Sequence, residues 1–294
     1  YSKQLPPSKV LMPAGFAANH PLLPFNTALQ YGIVVAVLES AGVVANVNLV
    51  KFTFVNVALS LGFFVWCLVA YKFMPDHPIA EATEEAKANQ TAVSTLPKKK
   101  EIITYICFVI AVAGMILQSS IGDAGYALTG IAVGGLLIFG VLDFTEIRNA
   151  ISAPIILMSA GVIGIADALG NTGLTALVGQ TVANVLGTNV NPFILIFAFC
   201  VLTSVLATLT GSTIGTVYVF APMAIATCVS LGLDPTAAAA AIVISGWCGH
   251  FLPIDGMPAM IMGAGKYSMK EFWKFTVPQY FIRLLFLTIG AVLI

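Results

Sequence analysis

Asp255 occupies the most chemically demanding place in this chain, a carboxylate inside Trp247-Cys248-Gly249-His250-Phe251-Leu252-Pro253-Ile254-Asp255-Gly256-Met257-Pro258 with apolar sequence on both sides. An acid at the depth of a bilayer costs about 3 kcal/mol or more unless it is neutral, paired or cation-bound. Asp255 is therefore a candidate Na⁺ ligand or proton carrier, with a buried acid bonded to its own broken backbone as the plain structural alternative. A second cluster reads Thr208-Leu209-Thr210-Gly211-Ser212-Thr213-Ile214-Gly215-Thr216. Glycine lets that backbone turn, which bares carbonyls to a cation and amides to an anion, and an arm starting near Ser212 presents an electropositive helix N-terminus. Irregular backbone survives at membrane depth only where it is buried in protein or lines a cavity. Serine and threonine also serve ordinary helix packing in membranes, so the patch alone does not decide between the two roles.

Asp255 has a counterpart. Leu23-Pro24-Phe25-Asn26 echoes Leu252-Pro253-Ile254-Asp255, and the echo resumes downstream as Lys51-Phe52-Thr53-Phe54-Val55-Asn56 against Lys274-Phe275-Thr276-Val277-Pro278-Gln279. Asn26, followed by Thr27, takes the place of Asp255, so one break is neutral and the other ionisable. His20 and His250 stand within one residue of equivalence, as candidate proton relays or as structural partners at a helix break. Asp167 and Arg283 lie in apolar stretches and read as helix-end or bundle contacts. No Lys or Arg stands near either break in sequence, so anion capture would rest on helix N-termini and hydroxyls.

The elements that must position these residues are membrane helices. Of the 294 residues 59% are hydrophobic and 9% charged, and the mean hydropathy is +0.96, which fits a polytopic all-α membrane protein. A net charge of zero excludes a strongly basic nucleic-acid binder. Apolar runs fall at about 27–44, 52–74, 102–118, 124–142, 151–169 and 276–294, with two longer interrupted regions at about 192–230 and 236–264. The five cysteines are odd in number and lack C-x-x-C spacing, which makes them packing residues. The opening at Tyr1, without Met or a basic leader, reads as a piece of a longer protein.

The pattern divides the chain into 1–74, the C-terminal part of a first repeat; a polar linker 75–101; and a second repeat 102–294. Lys98-Lys99-Lys100 places the linker in the cytoplasm. Counting crossings onward, a re-entrant hairpin at about 192–230 puts Lys266, Lys270 and Lys274 on the same side, whereas a full crossing there would put them outside. The same count leaves Lys51 and Lys274 on opposite faces, so the two copies are inverted. Paired broken helices in inverted repeats are the signature of secondary transporters. Leu174 to Gly187 reads as an interfacial helix or an ordinary connection.

At these residues the chain resembles the divalent anion:sodium symporter (DASS) family of the ion transporter superfamily. Pro7-Ser8-Lys9-Val10-Leu11-Met12-Pro13 is similar to that family's approach to its first broken helix, and Ser212 to Pro222 with Leu252-Pro253 to its second hairpin and break. The resemblance implies two re-entrant hairpins with Ser-Asn-Thr tips, the first of them preceding Tyr1. Ser212 matches the tip serine by its spacing to Pro222, while Thr213 and Ile214 replace the Asn and Thr. Gly256-Met257-Pro258-Ala259 stands where the family often has Thr-Pro-Pro-Asn. The implied substrate contacts are Asn26, Thr27, Ser212, Thr213, Gly256 and Met257, and the cation contacts are Thr208, Gly211, Ser212 and Asn26, joined by Asp255, which stands where the family usually has a small residue and whose Na⁺ role comes from the carboxylate itself. The resemblance implies Na⁺- or H⁺-coupled symport of di- or tricarboxylates by alternating access, in a homodimer of the bacterial inner membrane, with no further cofactor. The alternatives are an ion or oxyanion exchanger of the same superfamily and, for a different class, an intramembrane enzyme using Asp167 and Asp255 or the histidines. The acids lack a catalytic spacing, so the expectation is a protein that is not an enzyme.

Overall fold

The computed structural model describes residues 6–18, 24–43, 49–80, 97–121, 124–152, 191–254 and 256–294, with single positions between 164 and 184. Within them lie eleven helices and no strand. Residues 81–96 of the linker, most of 153–190 with Asp167, and the residues His20 and Asp255 lie outside the described residues, as do the side chains of Asn26 and Thr27.

The chain forms two compact units. One holds α4 (Lys98–Ile121), α5 (Ala124–Ile138) and α6 (Phe144–Ile151). α4 and α5 pack closely because small residues meet: a Cβ on Gly114 would stand 2.6 Å from the carbonyl oxygen of Gly125. α6 starts in a capping box in which Asp143 accepts from the Glu146 amide and Glu146 from the Asp143 amide. At fifteen residues α5 spans about 22 Å, shorter than the apolar run around it.

The other unit holds α1 (Pro7–Ala18), α2 (Pro24–Ser40), α3 (Leu49–Ala70), α7 (Pro192–Thr210), α8 (Thr213–Ser230), α9 (Pro235–Ser245), α10 (Gly256–Gly265) and α11 (Met269–Val292). Four of these, α3, α7, α8 and α11, are long and apolar enough to cross a membrane. α11 begins seven residues before its apolar run, because Ser268 and Glu271 form a capping box that starts the helix among charged residues.

The stretches that echo one another in sequence lie in α1–α2–α3 and in α9–α10–α11. α1 packs on α10 and α2 on α9, so each half-helix meets the opposite half of the other copy, the reciprocal pattern a two-fold relation produces. The matched helices α3 and α11 run antiparallel: Lys51 reaches the Ile294 carbonyl, Val55 and Ala58 face Gly290, Gly62 faces Phe286, and Trp66 Nε1 donates to the Phe275 carbonyl. Antiparallel equivalents are what inverted copies require. Met12 and Phe16, one turn apart on α1, bury into a cluster with Phe63, Ile261, Phe272 and Phe275, with the Phe16 ring 5.8 Å from that of Phe275.

α9 sits at the centre. Ala238 to Ile244 are almost wholly buried, and the helix touches α2, α7, α8 and α11. Alanine allows this, since a helix without bulk on any face can be approached from all sides.

Candidate functional site

The site is built where α7, α8 and the interruption between α9 and α10 come together. α7 and α8 form a hairpin joined by two residues, Gly211 and Ser212. Gly211 takes a left-handed φ of 66°, a conformation that closes helices and costs glycine no Cβ clash. Each arm is eighteen or nineteen residues, about 27–29 Å and long enough to cross a membrane.

Hydroxyls in the tip are turned inward on their own helices. Thr208 donates to the Ser204 carbonyl at 2.7 Å, Thr210 to Leu206 at 2.8 Å, and Thr216 to Ser212 at 2.7 Å. Each satisfies a helical carbonyl without water. Ser212 caps α8 by position, but its side chain makes no capping bond, so the first amides of α8 are left for other partners.

α9 ends at Ser245, and the chain turns through Gly246, Trp247 and Cys248 before a non-helical stretch that leads to α10. The break therefore opens at glycine, well ahead of Pro253. Gly249 presses against α7: a Cβ there would collide with the Thr208 hydroxyl and come 2.8 Å from the Ser204 carbonyl oxygen. His250 follows with φ 53°, a left-handed backbone unusual for a residue with a side chain, and is 7% exposed.

Ala207, Thr208, Thr213, Gly246 and His250 enclose a recess of about 10 Å³, room for about one water molecule. It brings together a hairpin arm, the start of α8 and the end of α9. A helix N-terminus carries partial positive charge and a C-terminus partial negative charge, so opposite poles share one small space. That space fits a single ion or water and is far too small for a carboxylate substrate.

Three α11 side chains fasten the break from outside. Trp273 Nε1 donates to the Phe251 carbonyl at 3.1 Å. The Tyr280 ring lies 5.0 Å from that of Phe251, and its hydroxyl is 2.9 Å from the Ser204 hydroxyl. Arg283 Nη2 donates to the Trp247 carbonyl at 3.3 Å, its guanidinium 6.0 Å from the Phe63 ring centre, and the residue is 2% exposed. The expectation that no cation stands near a break is thus corrected: Arg283 is remote in sequence and adjacent in space. The sequence showed a charge within the apolar run of α11, with Tyr and Trp three and ten residues before it on or near one helical face, but nothing that names its partner.

Of the residues singled out in sequence, Thr208 and Thr213 line the recess, Gly211 forms the turn, and Ser212 is exposed at the tip. Gly256 and Met257 open α10, but Met257 packs against the cluster around Phe16 and Phe272 rather than into the recess. Asn26 and Thr27 lie in the first turn of α2, their side chains outside the described residues, and Asp255 directly precedes α10 in the chain. Among the described residues no group of three or more His, Cys, Asp or Glu could hold a metal ion.

Two proteins named as uncharacterized transporters are similar to this chain. One, sll0640 from Synechocystis, is 29% identical over 62% of the chain; the other, YfbS from Escherichia coli, is 24% identical over 58%. The matches take in only 29% and 28% of those relatives, so the chain spans under a third of their length. The profile of the citrate transporter family, CitMHS, matches residues 1–243 and so covers the first repeat, the hairpin and nearly all of α9. Apolar spans, a hairpin and reciprocal half-helices are features a transporter needs, and on that match the chain belongs to the citrate transporter family.

Proposed function

We propose that the chain forms the core of a cation-coupled secondary transporter for di- or tricarboxylates, working by alternating access and close in plan to the DASS symporters. One observation carries this reading: the hairpin turn and the second helix break meet around an ion-sized recess between opposite helix poles. The recess would take the coupling ion, Na⁺ or H⁺, with Thr208 and Thr213 beside it. The anion would bind outside it, drawn by the uncapped first amides of α8 and the neighbouring buried Arg283 charge. Asp255 would contribute a carboxylate to the cation, and Asn26 and Thr27 a neutral counterpart from the first break. The 10 Å³ recess favours one second reading, an ion exchanger in which no carboxylate moves.

Uptake of radiolabelled citrate and succinate into proteoliposomes of the full-length protein decides between them. The expected result is accumulation driven by an inward Na⁺ or H⁺ gradient; ²²Na⁺ exchange without carboxylate uptake would establish the exchanger instead. In the Asp255→Asn variant the cation dependence is expected to vanish or change shape while the protein stays folded. Unaltered sodium and pH dependence in that variant would remove Asp255 from the coupling mechanism.

A further inference from the structure

Past the end of α3 the segment 75–80 ties three pieces of its unit together. The Ser8 hydroxyl of α1 donates to the Pro75 carbonyl at 2.9 Å and accepts from the His77 amide at 3.1 Å. The Ala80 amide donates to the Ala264 carbonyl at 2.8 Å, and the Tyr267 hydroxyl to the Ser8 carbonyl. The first turn of α1, the end of α3 and the turn between α10 and α11 thus meet, and they bring Lys9, Lys72, Lys266, Lys270 and Lys274 to one end of the unit. Lys9 lies 5.6 Å over the Tyr71 ring; the other four are exposed. The acids described at that end are Asp76 and Glu271, and Glu271 is engaged by the Ser268 amide and hydroxyl. Positive charge is in excess.

Two further observations bear on what that charge meets. α10 closes with the Tyr267 amide on the Met262 carbonyl and the Lys266 amide on the Gly263 carbonyl, a motif whose left-handed position usually holds glycine. Here it holds Lys266, at φ 51°, so backbone strain is accepted where a further ammonium joins the patch. The lysines also border α3 and α11, both long and apolar enough to cross a membrane, with Phe73 and Trp273 exposed beside them. Basic and aromatic residues at the ends of apolar spans mark the level where acyl chains give way to headgroups.

We propose that this end of the molecule binds anionic lipid, the headgroup phosphates being gathered by Lys72, Lys266, Lys270 and Lys274. Four or more lysines beside a span attract anionic lipid, with roughly fivefold in affinity for each one. A lipid fits better than a soluble anion because its acyl chains can lie on the exposed apolar faces of the same two helices, at Phe64 and Leu68 on α3 and Val277 and Phe281 on α11. This surface is independent of the transport reading.

Full-length protein in detergent is titrated with phosphatidylglycerol or phosphatidylcholine, and retained lipid is counted by native mass spectrometry. Wild type should retain phosphatidylglycerol about tenfold better, and a Lys266→Gly, Lys270→Gln, Lys274→Gln variant should lose most of that preference. Glycine suits the backbone at 266, so the variant is expected to fold. Equal retention of the two lipids by wild type, or an undiminished preference in the variant, overturns the proposal. A second measurement needs no variant: lysine acetylation of the wild type in nanodiscs with and without phosphatidylglycerol, read peptide by peptide. Acetylation of Lys72, Lys266 and Lys270 should slow about threefold with the anionic lipid; no protection, or equal protection of every lysine including Lys51, overturns the site. If inorganic phosphate added to phosphatidylcholine nanodiscs protects the same lysines as well, the surface takes free anions and the lipid assignment falls.

Discussion

α3 and α11 descend from the same pattern and have been put to different uses. Aligned on Lys51-Phe52-Thr53 and Lys274-Phe275-Thr276, they pair Asn56 with Gln279, Val50 with Trp273, Val57 with Tyr280 and Ser60 with Arg283. Asn56 and Gln279 remain alike: both are buried, and the side-chain oxygen of each accepts no hydrogen bond from the described groups. The other three pairs have diverged. On α3, Phe54, Val57, Leu61, Phe64 and Leu68 make an exposed apolar face. On α11, Trp273 and Arg283 reach across to the second break and bond it, while Tyr280 sets its ring against Phe251 and its hydroxyl against Ser204 of α7. An inverted repeat thus supplies the frame twice, and the fasteners described on α11 hold the break that leads to Asp255.

The comparison breaks most severely if the second break can be lifted off α7 without consequence. Gly249→Ala would force a methyl into the Thr208 hydroxyl and the Ser204 carbonyl, and should cost about 3 kcal/mol. Gly263→Ala on α10, where a Cβ meets nothing within 4 Å, should instead be neutral or stabilising by up to about 1 kcal/mol. Denaturant titration in detergent separates the two, and equal effects would show that Gly249 is not a packing constraint. Next in size is Arg283→Leu, which leaves the partly buried Trp247 carbonyl without this donor and should cost about 2 kcal/mol; Arg283→Lys should recover only part of this, since an ammonium lacks the planar fork. Tyr280→Phe keeps the tilted ring contact with Phe251 and loses the bond to Ser204, for about 1 kcal/mol in thermal melts. Ser60→Ala, at the α3 counterpart of Arg283, should lie within about 0.5 kcal/mol of wild type. A Ser60 effect as large as that of Arg283 would mean that both copies are fasteners.

The breaks were legible because an unbroken membrane helix has little use for proline, glycine and a carboxylate together inside apolar sequence. Their position was less so. Pro253 drew attention, yet α9 stops at Ser245, since Gly246 and Gly249 let the backbone turn against α8 and α7 well before the proline ring intervenes. The hairpin was legible from Gly211 and Ser212. Arg283, Trp273 and Tyr280 were not assigned to the site, because their partners lie 22 to 76 residues away and nothing local distinguishes a clamp from a bundle contact. Met257 misled in the opposite direction: it stands close to Asp255 in sequence, but the first turn of α10 rotates it into the apolar cluster.

The hydroxyls that bond back to a carbonyl four residues earlier bear on biogenesis. Ser60, Thr208, Thr216, Thr227, Thr276 and Thr288 all do this, and the Asn56 amide does the same. Each of these donors is satisfied as soon as its own helix forms, so a segment leaving the translocation machinery can enter lipid before any neighbour exists. Trp273, Tyr280 and Arg283 are different, because the acceptors or partners described for them belong to other segments of the chain. α11 therefore carries side chains that gain their described partners only when it docks on the rest of the bundle.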